Sequence, residues 1–165
     1  MMKKAIFLDR DGVINTKGEE YYIYKKEDFK LNDGVISALS WFISKGYILI
    51  VVTNQGGIAK GLYTREDVEE LHEFMADLLK VHGVFLTAVY YCPHHPDIEP
   101  CECRKPGTLF FEEAIKKYSI SRSESWMIGD SDSDIEAAQR AGLKSVKIPT
   151  NGNMMELIVK KGIIK

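Results

Sequence analysis

The sequence predicts an α/β fold, a doubly wound, Rossmann-like parallel sheet. Three observations lead there: short β-branched apolar runs alternate with segments of helical period, glycines punctuate the helix ends, and polar clusters follow the runs at their carboxyl ends. Right-handed crossovers then put helices on both faces of one sheet and ligands beyond the carboxyl ends of its strands.

Lys4-Ala-Ile-Phe-Leu is a compact apolar run that stops abruptly at Asp9-Arg-Asp11-Gly12, as a buried strand does on reaching a loop. Residues 13–32, tyrosine-rich and broken by Gly18 and charges, read as a flap or irregular hairpin. Asp33 is placed to cap a helix in which Val35, Ile36, Leu39, Phe42 and Ile43 recur at helical spacing until Gly46. Tyr47 to Thr53 has the β-branched, apolar character of a parallel strand covered on both faces. After the loop NQGGIAKGLY, Thr64 can cap a helix whose stripe is Val68, Leu71, Met75, Leu78 and Leu79, with Gly83 at its end. Phe85 to Tyr91 is a third strand and Cys92 to Pro106 a long polar loop. Thr108 to Tyr118 is a helix, Ser125 to Ile128 a fourth strand, Asp132 to Arg140 a helix ended by Gly142, and Ser145 to Ile148 a fifth strand. No repeat, low-complexity tract or linker divides residues 1–165, so a single domain is expected.

Composition removes several function classes. With 45% hydrophobic and 28% charged residues, the chain has the makeup of an ordinary globular domain. Lys and Arg total 22 against 24 Asp and Glu, so no basic excess marks a nucleic-acid binder. The longest apolar run, Tyr47 to Val52, falls far short of the ~20 residues that cross a bilayer. The stretch after Lys3 and Lys4 reaches only Leu8, too short for a secretory segment, so a cytoplasmic protein without a membrane partner is expected. No heptad or apolar repeat asks for a partner chain, which favours a monomer. The three cysteines, Cys92, Cys101 and Cys103, crowd into one loop, an odd number that suits a reducing compartment and metal before disulfide.

Four polar groups fall where successive elements deliver them to one sheet edge: Asp9 with Asp11, Thr53 with Asn54, Arg104 with Lys105, and Asp130 with Asp134. Asp9 and Asp11 are two residues apart, the period that turns side chains to the same side of an extended backbone, so both can face one reacting group. Such a pair taken alone is equally a turn-forming, solvated motif. In the cysteine loop, Cys92-Pro-His94 and Cys101-Glu-Cys103 offer three thiolates and an imidazole. These make a complete tetrahedral set for structural zinc, the alternative being free buried thiols.

The series DRDGV, VVTNQ, CRKPG and GDSDSD resembles the haloacid dehalogenase (HAD) superfamily of aspartate-nucleophile phosphotransferases, with the motifs in family order from Asp9 to Asp134. The resemblance implies that Asp9 is the nucleophile, and that Asp11 protonates the leaving oxygen and then activates water. It implies that Thr53 hydrogen-bonds the phosphoryl oxygens and that Lys105 neutralises the nucleophile and the transferring group. Asp130 would bind magnesium with the Asp9 carboxylate and the Asp11 carbonyl, while Asp134 orients from just outside. Ionised Asp9 and Asp130 with a phosphate dianion bring about −4 into one pocket, and magnesium and Lys105 return about +3, provided Asp11 enters protonated. A hard cation with oxygen ligands fits magnesium.

CPHHP followed by CECRKP also resembles the capless, zinc-loop branch of that superfamily, which includes heptose bisphosphate phosphatases and histidinol-phosphate phosphatases. TNQGGIAKGLYT, DRDGVIN and the tyrosine-rich stretch leading to Phe29 look like the heptose side, which implies a part in precursor synthesis for surface polysaccharide. The short spacer between His94 and Cys101, and CRKPGTLF without a longer proline-glycine continuation, approach the histidinol side. Ser131 stands where both usually place a basic residue. A capless site would be read by its loops, with Asn54, Gln55, Lys60, Arg104, Tyr21 and Tyr22 as substrate contacts. Arg104 can grip a second phosphate or a sugar hydroxyl through its planar fork, or else pair with Glu102 at the surface. The tyrosines can equally pack the flap. His95 reads as a solvated loop residue, since His94 already completes four ligands, and His72 as a core-edge histidine. Two other classes compete: a phospho-receiver-like binding module, which has no use for Asp11 or a braced lysine loop, and a polynucleotide end phosphatase, which the −2 net charge disfavours.

Overall fold

The central strands are apolar on both sides, and that two-sidedness builds the molecule. The computed structural model describes residues 1–18 and 22–164. Five strands, β1 (Lys4–Leu8), β2 (Tyr47–Asn54), β3 (Ala88–Cys92), β4 (Trp126–Gly129) and β5 (Lys144–Lys147), form one sheet in the order β3-β2-β1-β4-β5, every pair parallel. The helices are α1 (Val35–Ser44), α2 (Arg65–Lys80), α3 (Leu109–Tyr118), α4 (Asp132–Arg140) and α5 (Met154–Lys160). Along β1, Ile6 and Leu8 face a core shared with Leu39 and Phe42 of α1, Leu71 and Met75 of α2, and Ile158 of α5. Ala5 and Phe7 face the opposite core, with Phe111 and Ala114 of α3 and Ala137 and Ala138 of α4. Each large side chain so buried contributes roughly 1.5–3 kcal/mol. This is the α/β parallel sheet that the alternating pattern predicts.

Thr64 caps α2 through a reciprocal pair: its hydroxyl accepts the Asp67 N–H at 3.1 Å, and the Asp67 carboxylate accepts the Thr64 N–H at 2.9 Å. Other boundaries differ from expectation. Asp33 does not cap α1; the helix starts from Gly34 at φ 77° without a side-chain cap, and the Asp33 carbonyl instead accepts the N–H of Met154 as α5 docks. The third strand begins at Ala88 rather than Phe85, because Val84 turns into the core while Phe85 stays exposed. β4 and β5 are each displaced by one residue from the expected ranges, and α5, seven residues long, was not expected.

Residues 13–18 and 22–32 are irregular rather than a hairpin of strands, with a single 3-10 turn at Lys26–Asp28 and isolated bridges of Asn15 to Asp11 and Leu31. Buried Ile14, Ile23 and Phe29 fix this segment to the core. Tyr21 lies outside the described residues. Among the described residues no helix is long and apolar enough to cross a membrane. Register aligns Leu8 with Val51 of β2 and Ile128 of β4, so the residues that follow β1, β2 and β4 emerge at one edge.

Candidate active site

Two carboxylates converge at that edge on one ammonium, and a third lies close by. Lys105 Nζ lies 2.9 Å from Asp9 Oδ1 and 2.6 Å from Asp134 Oδ1, and donates to the Val52 carbonyl at 2.7 Å. Oxygens of Asp9, Asp130 and Asp134 all lie within 4.8 Å of one another. Burial, reinforced by Asp134 and Asp130, pushes the Asp9 carboxyl up to about 7 against the pull of Lys105. Burial favours a neutral lysine, but the charges of Asp9 and Asp134 outweigh it and hold the Lys105 ammonium well above its usual range. Gly12 is required here twice over. Its φ is +83°, and a Cβ would lie 2.3 Å from Asp130 Oδ2.

Asp11 has the opposite environment. Its Oδ1 accepts from Arg10 Nη2 at 2.8 Å and Asn15 Nδ2 at 3.0 Å, and its Oδ2 from Gln55 Nε2 at 3.1 Å. Burial alone would raise its pKa, but the Arg10 charge and these donors outweigh it and hold the group below the ordinary carboxylate range. Among the described residues every hydrogen-bond partner of its carboxylate is a donor, which favours the ionised form of Asp11 in the absence of substrate.

Arg10, fully buried, also donates to the Ile23 carbonyl at 2.5 Å and meets His72 Nε2 at 3.0 Å. Burial and the Arg10 charge push His72 down to about 3 from an ordinary 6.5. The unfolded chain thus takes up a proton that the folded one refuses, so stability is lost as pH falls from 6.5 towards 3. His72→Gln, which keeps an acceptor for Arg10, should flatten the acid limb of melting temperature against pH by the equivalent of one proton.

An open cavity of about 190 Å³ is lined by Asp9, Asp11, Lys105, Asp130 and Asp134 at its floor and by Lys17, Tyr22, Asn54, Gln55, Gly56, His95, Arg104, Ser131 and Ser133 around it. Thr53 is 1% exposed, accepts from Gln55 Nε2 at 2.9 Å, and is not among the lining residues. Gln55 lines the cavity with both ends engaged, receiving the Tyr63 hydroxyl at 2.7 Å while donating to Asp11. It is a strut for Asp11 rather than a free substrate contact. Asn54 brackets the Lys105 backbone, accepting its N–H at 3.0 Å and donating to its carbonyl at 3.3 Å. Lys60 is exposed and outside the lining. Tyr22 both lines the cavity and packs edge-on against Tyr63, at 5.8 Å between centroids.

His95 departs from the solvated loop residue expected. Its side chain is 15% exposed and lies against Gly56, where a Cβ would come within 2.9 Å of the ring and 3.0 Å of Arg104 Nη1. The absence of a side chain at Gly56 lets the cysteine loop fold back over the β2–α2 turn. Arg104 is held there by the His94 carbonyl at 3.2 Å, and no ion pair joins it to Glu102 among the described residues.

Cys92, His94, Cys101 and Cys103 gather their donor atoms within 4.8 Å. The Sγ–Sγ distances, 2.8 Å for Cys92–Cys103 and 3.6 Å for Cys92–Cys101, exceed the ~2.05 Å of a disulfide. His94 presents Nδ1 to the cluster, 3.2 Å from Cys103 Sγ, with Nε2 3.6 Å from Glu99. Three sulfurs and one imidazole nitrogen fit tetrahedral zinc with no open position. Across the cavity, Asp130 Oδ1 is buried without a hydrogen-bond partner among the described residues, and with Asp9 beside it this hard oxygen suits magnesium. Lys17 and Thr150, which contact Asp130, and Asn151, which holds the Lys17 backbone, carry no signal in the sequence.

Residues 102–162 match the family model described as HAD-hydrolase-like. The D-glycero-beta-D-manno-heptose-1,7-bisphosphate 7-phosphatase of Haemophilus ducreyi is 40% identical over 158 residues, covering 92% of this chain and 86% of its own. The D-glycero-alpha-D-manno-heptose-1,7-bisphosphate 7-phosphatase of Photorhabdus laumondii is 43% identical over 146 residues, covering 85% and 79%. The crystal structure of the D,D-heptose 1,7-bisphosphate phosphatase from B. bronchiseptica, complexed with magnesium and phosphate, superposes with a TM-score of 0.83 at 29% identity, covering 96% of this chain and 87% of that one. Identity at this level over most of both chains means that the protein belongs to the heptose bisphosphate phosphatase family of HAD-like hydrolases.

Proposed function

We propose that this enzyme is a magnesium-dependent phosphomonoesterase that removes the 7-phosphate of D-glycero-D-manno-heptose 1,7-bisphosphate through an aspartyl-phosphate on Asp9. The carrying observation is the junction of Asp9, Lys105 and Asp134 beside a second carboxylate, Asp11, in one cavity. Asp9 Oδ attacks phosphorus and the sugar oxygen departs. Lys105 keeps the nucleophile ionised and offsets charge as the phosphoryl group moves. Asp11 begins as a carboxylate, and a phosphate dianion arriving next to it in the cavity raises its proton affinity. A proton taken from solvent as the substrate binds passes to the leaving alkoxide, after which the carboxylate takes one from the water that opens the aspartyl-phosphate and returns it to solvent as phosphate leaves. Gln55, steadied by Tyr63, keeps Oδ2 aimed through both transfers.

Asp9 and Asp130 would hold magnesium with the Asp11 carbonyl, and Asp134 supports Lys105. The ion supplies positive charge against the phosphoryl oxygens. Arg104, facing the cavity from the cysteine loop, suits the second phosphate or a sugar hydroxyl. Phosphate release from the heptose bisphosphate and from histidinol phosphate, measured side by side, tests the substrate. The first should win by about tenfold or more, a barrier difference of ~1.4 kcal/mol. The reverse order overturns the sugar reading.

Zinc in the cysteine cluster would stiffen the segment that carries Arg104 and Lys105, since Lys105 lies two residues beyond Cys103. Cys103→Ser, or zinc withdrawal followed with a colorimetric chelator, should reduce turnover by about 10–100-fold and lower the melting temperature. Added zinc should restore the chelated protein but not the variant.

A further inference from the structure

We propose that Lys17 is a second cation of the phosphate site, delivered to its Asp130 end and held there by Asn151; this rests on the phosphatase reading above. Lys105 is fully engaged by two carboxylates and a carbonyl. Asp130, 2% exposed, is left with the Thr150 hydroxyl at 2.8 Å and Lys17 Nζ at 3.7 Å as its partners among the described residues. Ser131 beside it gives its hydroxyl to Asp134 at 2.8 Å and brings no charge. The cation at this end therefore comes from a different element.

Lys17 sits in an irregular segment, yet its backbone is tied on both sides. Asn151 Oδ1 accepts the Lys17 N–H at 2.7 Å, and Asn151 Nδ2 donates to the Lys17 carbonyl at 2.8 Å, across 134 positions of sequence. Asn151 itself has φ 62° and donates its own N–H to the Gly12 carbonyl at 2.8 Å. One turn between β5 and α5 thus fixes Gly12, Lys17 and, through Thr150, Asp130. The Lys17 side chain lines the cavity and is 36% exposed, so its ammonium remains available for hydrogen bonds to phosphoryl oxygens.

A cation in this position has a signature that a merely structural residue lacks. It attracts the phosphate dianion and repels the magnesium dication, so removing it should weaken one and tighten the other. Calorimetric titration of the full chain with magnesium, and with inorganic phosphate at saturating magnesium, reads both. Lys17→Ala should bind inorganic phosphate about tenfold more weakly and magnesium severalfold more tightly. Lys17→Arg should stay close to the parent. Asn151→Gly, which keeps the left-handed backbone accessible but removes the amide, should move both affinities in the same directions by less. Unchanged phosphate affinity in Lys17→Ala, or weakening of both ligands, overturns the proposal. If the parent failed to hydrolyse sugar bisphosphates while these opposed shifts persisted, the substrate reading would fall and Lys17 would keep its role.

Discussion

Asp9→Asn is expected to lower turnover by about 10,000-fold or more, and yet to leave the magnesium-free protein more stable than the parent above pH 7. The amide cannot form the acyl phosphate, so the two-step route closes. Stability moves the other way because this carboxylate is badly placed for a charge. Burial, with Asp134 and Asp130 adding to it, pushes Asp9 from 3.8 up to about 7 despite Lys105. A folded-state pKa above the unfolded one means that Asp9 favours folding below 3.8 and loses that contribution as pH rises through 7. Asparagine does not titrate. The melting-temperature gap between variant and parent, measured without magnesium, should therefore widen from about pH 4 to pH 7 and then level off. A gap that narrows with rising pH would show that Lys105 outweighs burial. The site gives up folding stability to hold an ionised nucleophile for its cation.

The parts of the fold legible in the sequence were those with one environment along their length. β1 and β2 are buried on both faces along their apolar runs, and those runs locate them, β1 ending with its run at Leu8 and β2 continuing through Thr53 and Asn54. β3 misled because Val84 and Phe85, adjacent and both apolar, turn to different surroundings before pairing begins. α5 is two turns long, too short for a periodic stripe to stand out. At the site, Asp9, Asp11, Lys105, Asp130 and Asp134 were visible as polar clusters closing apolar runs or following the cysteines. What the sequence concealed was partnership. Gln55 looked like a substrate contact, but a neighbouring tyrosine and Asp11 take both ends of its amide. Arg10, to which the sequence assigns no role, proves to be a buried cation that keeps Asp11 ionised. Asn151 and Lys17 meet only through the completed sheet, so no local pattern could couple them.

Lys105→Met should be the most destabilising change at the site while abolishing activity. Methionine keeps much of the apolar stem and loses the ammonium, stranding Asp9 and Asp134 with Asp130 within 4.8 Å of both. Removing one partner of a buried ion pair costs about 3–5 kcal/mol, because the remaining charge stays desolvated. The carboxylates can relieve this only by taking up protons, which itself disarms Asp9 as a nucleophile. Turnover should therefore fall by about 1,000-fold or more. In urea, the midpoint should drop with the slope unchanged, since the surface exposed on unfolding is the same. The penalty should shrink on acidification, because Asp9 without the ammonium's pull is left to burial, which raises its pKa, and the folded variant binds a proton that the unfolded chain releases. Adding Asp134→Asn removes one of the stranded charges and leaves an amide able to accept from Ser131. The double variant should recover part of the stability and none of the activity. Equal midpoints for parent and Lys105→Met would mean that the ammonium contributes nothing net to the fold. In that case the pairing seen at 2.6 and 2.9 Å would no longer account for how Asp9 stays ionised for attack.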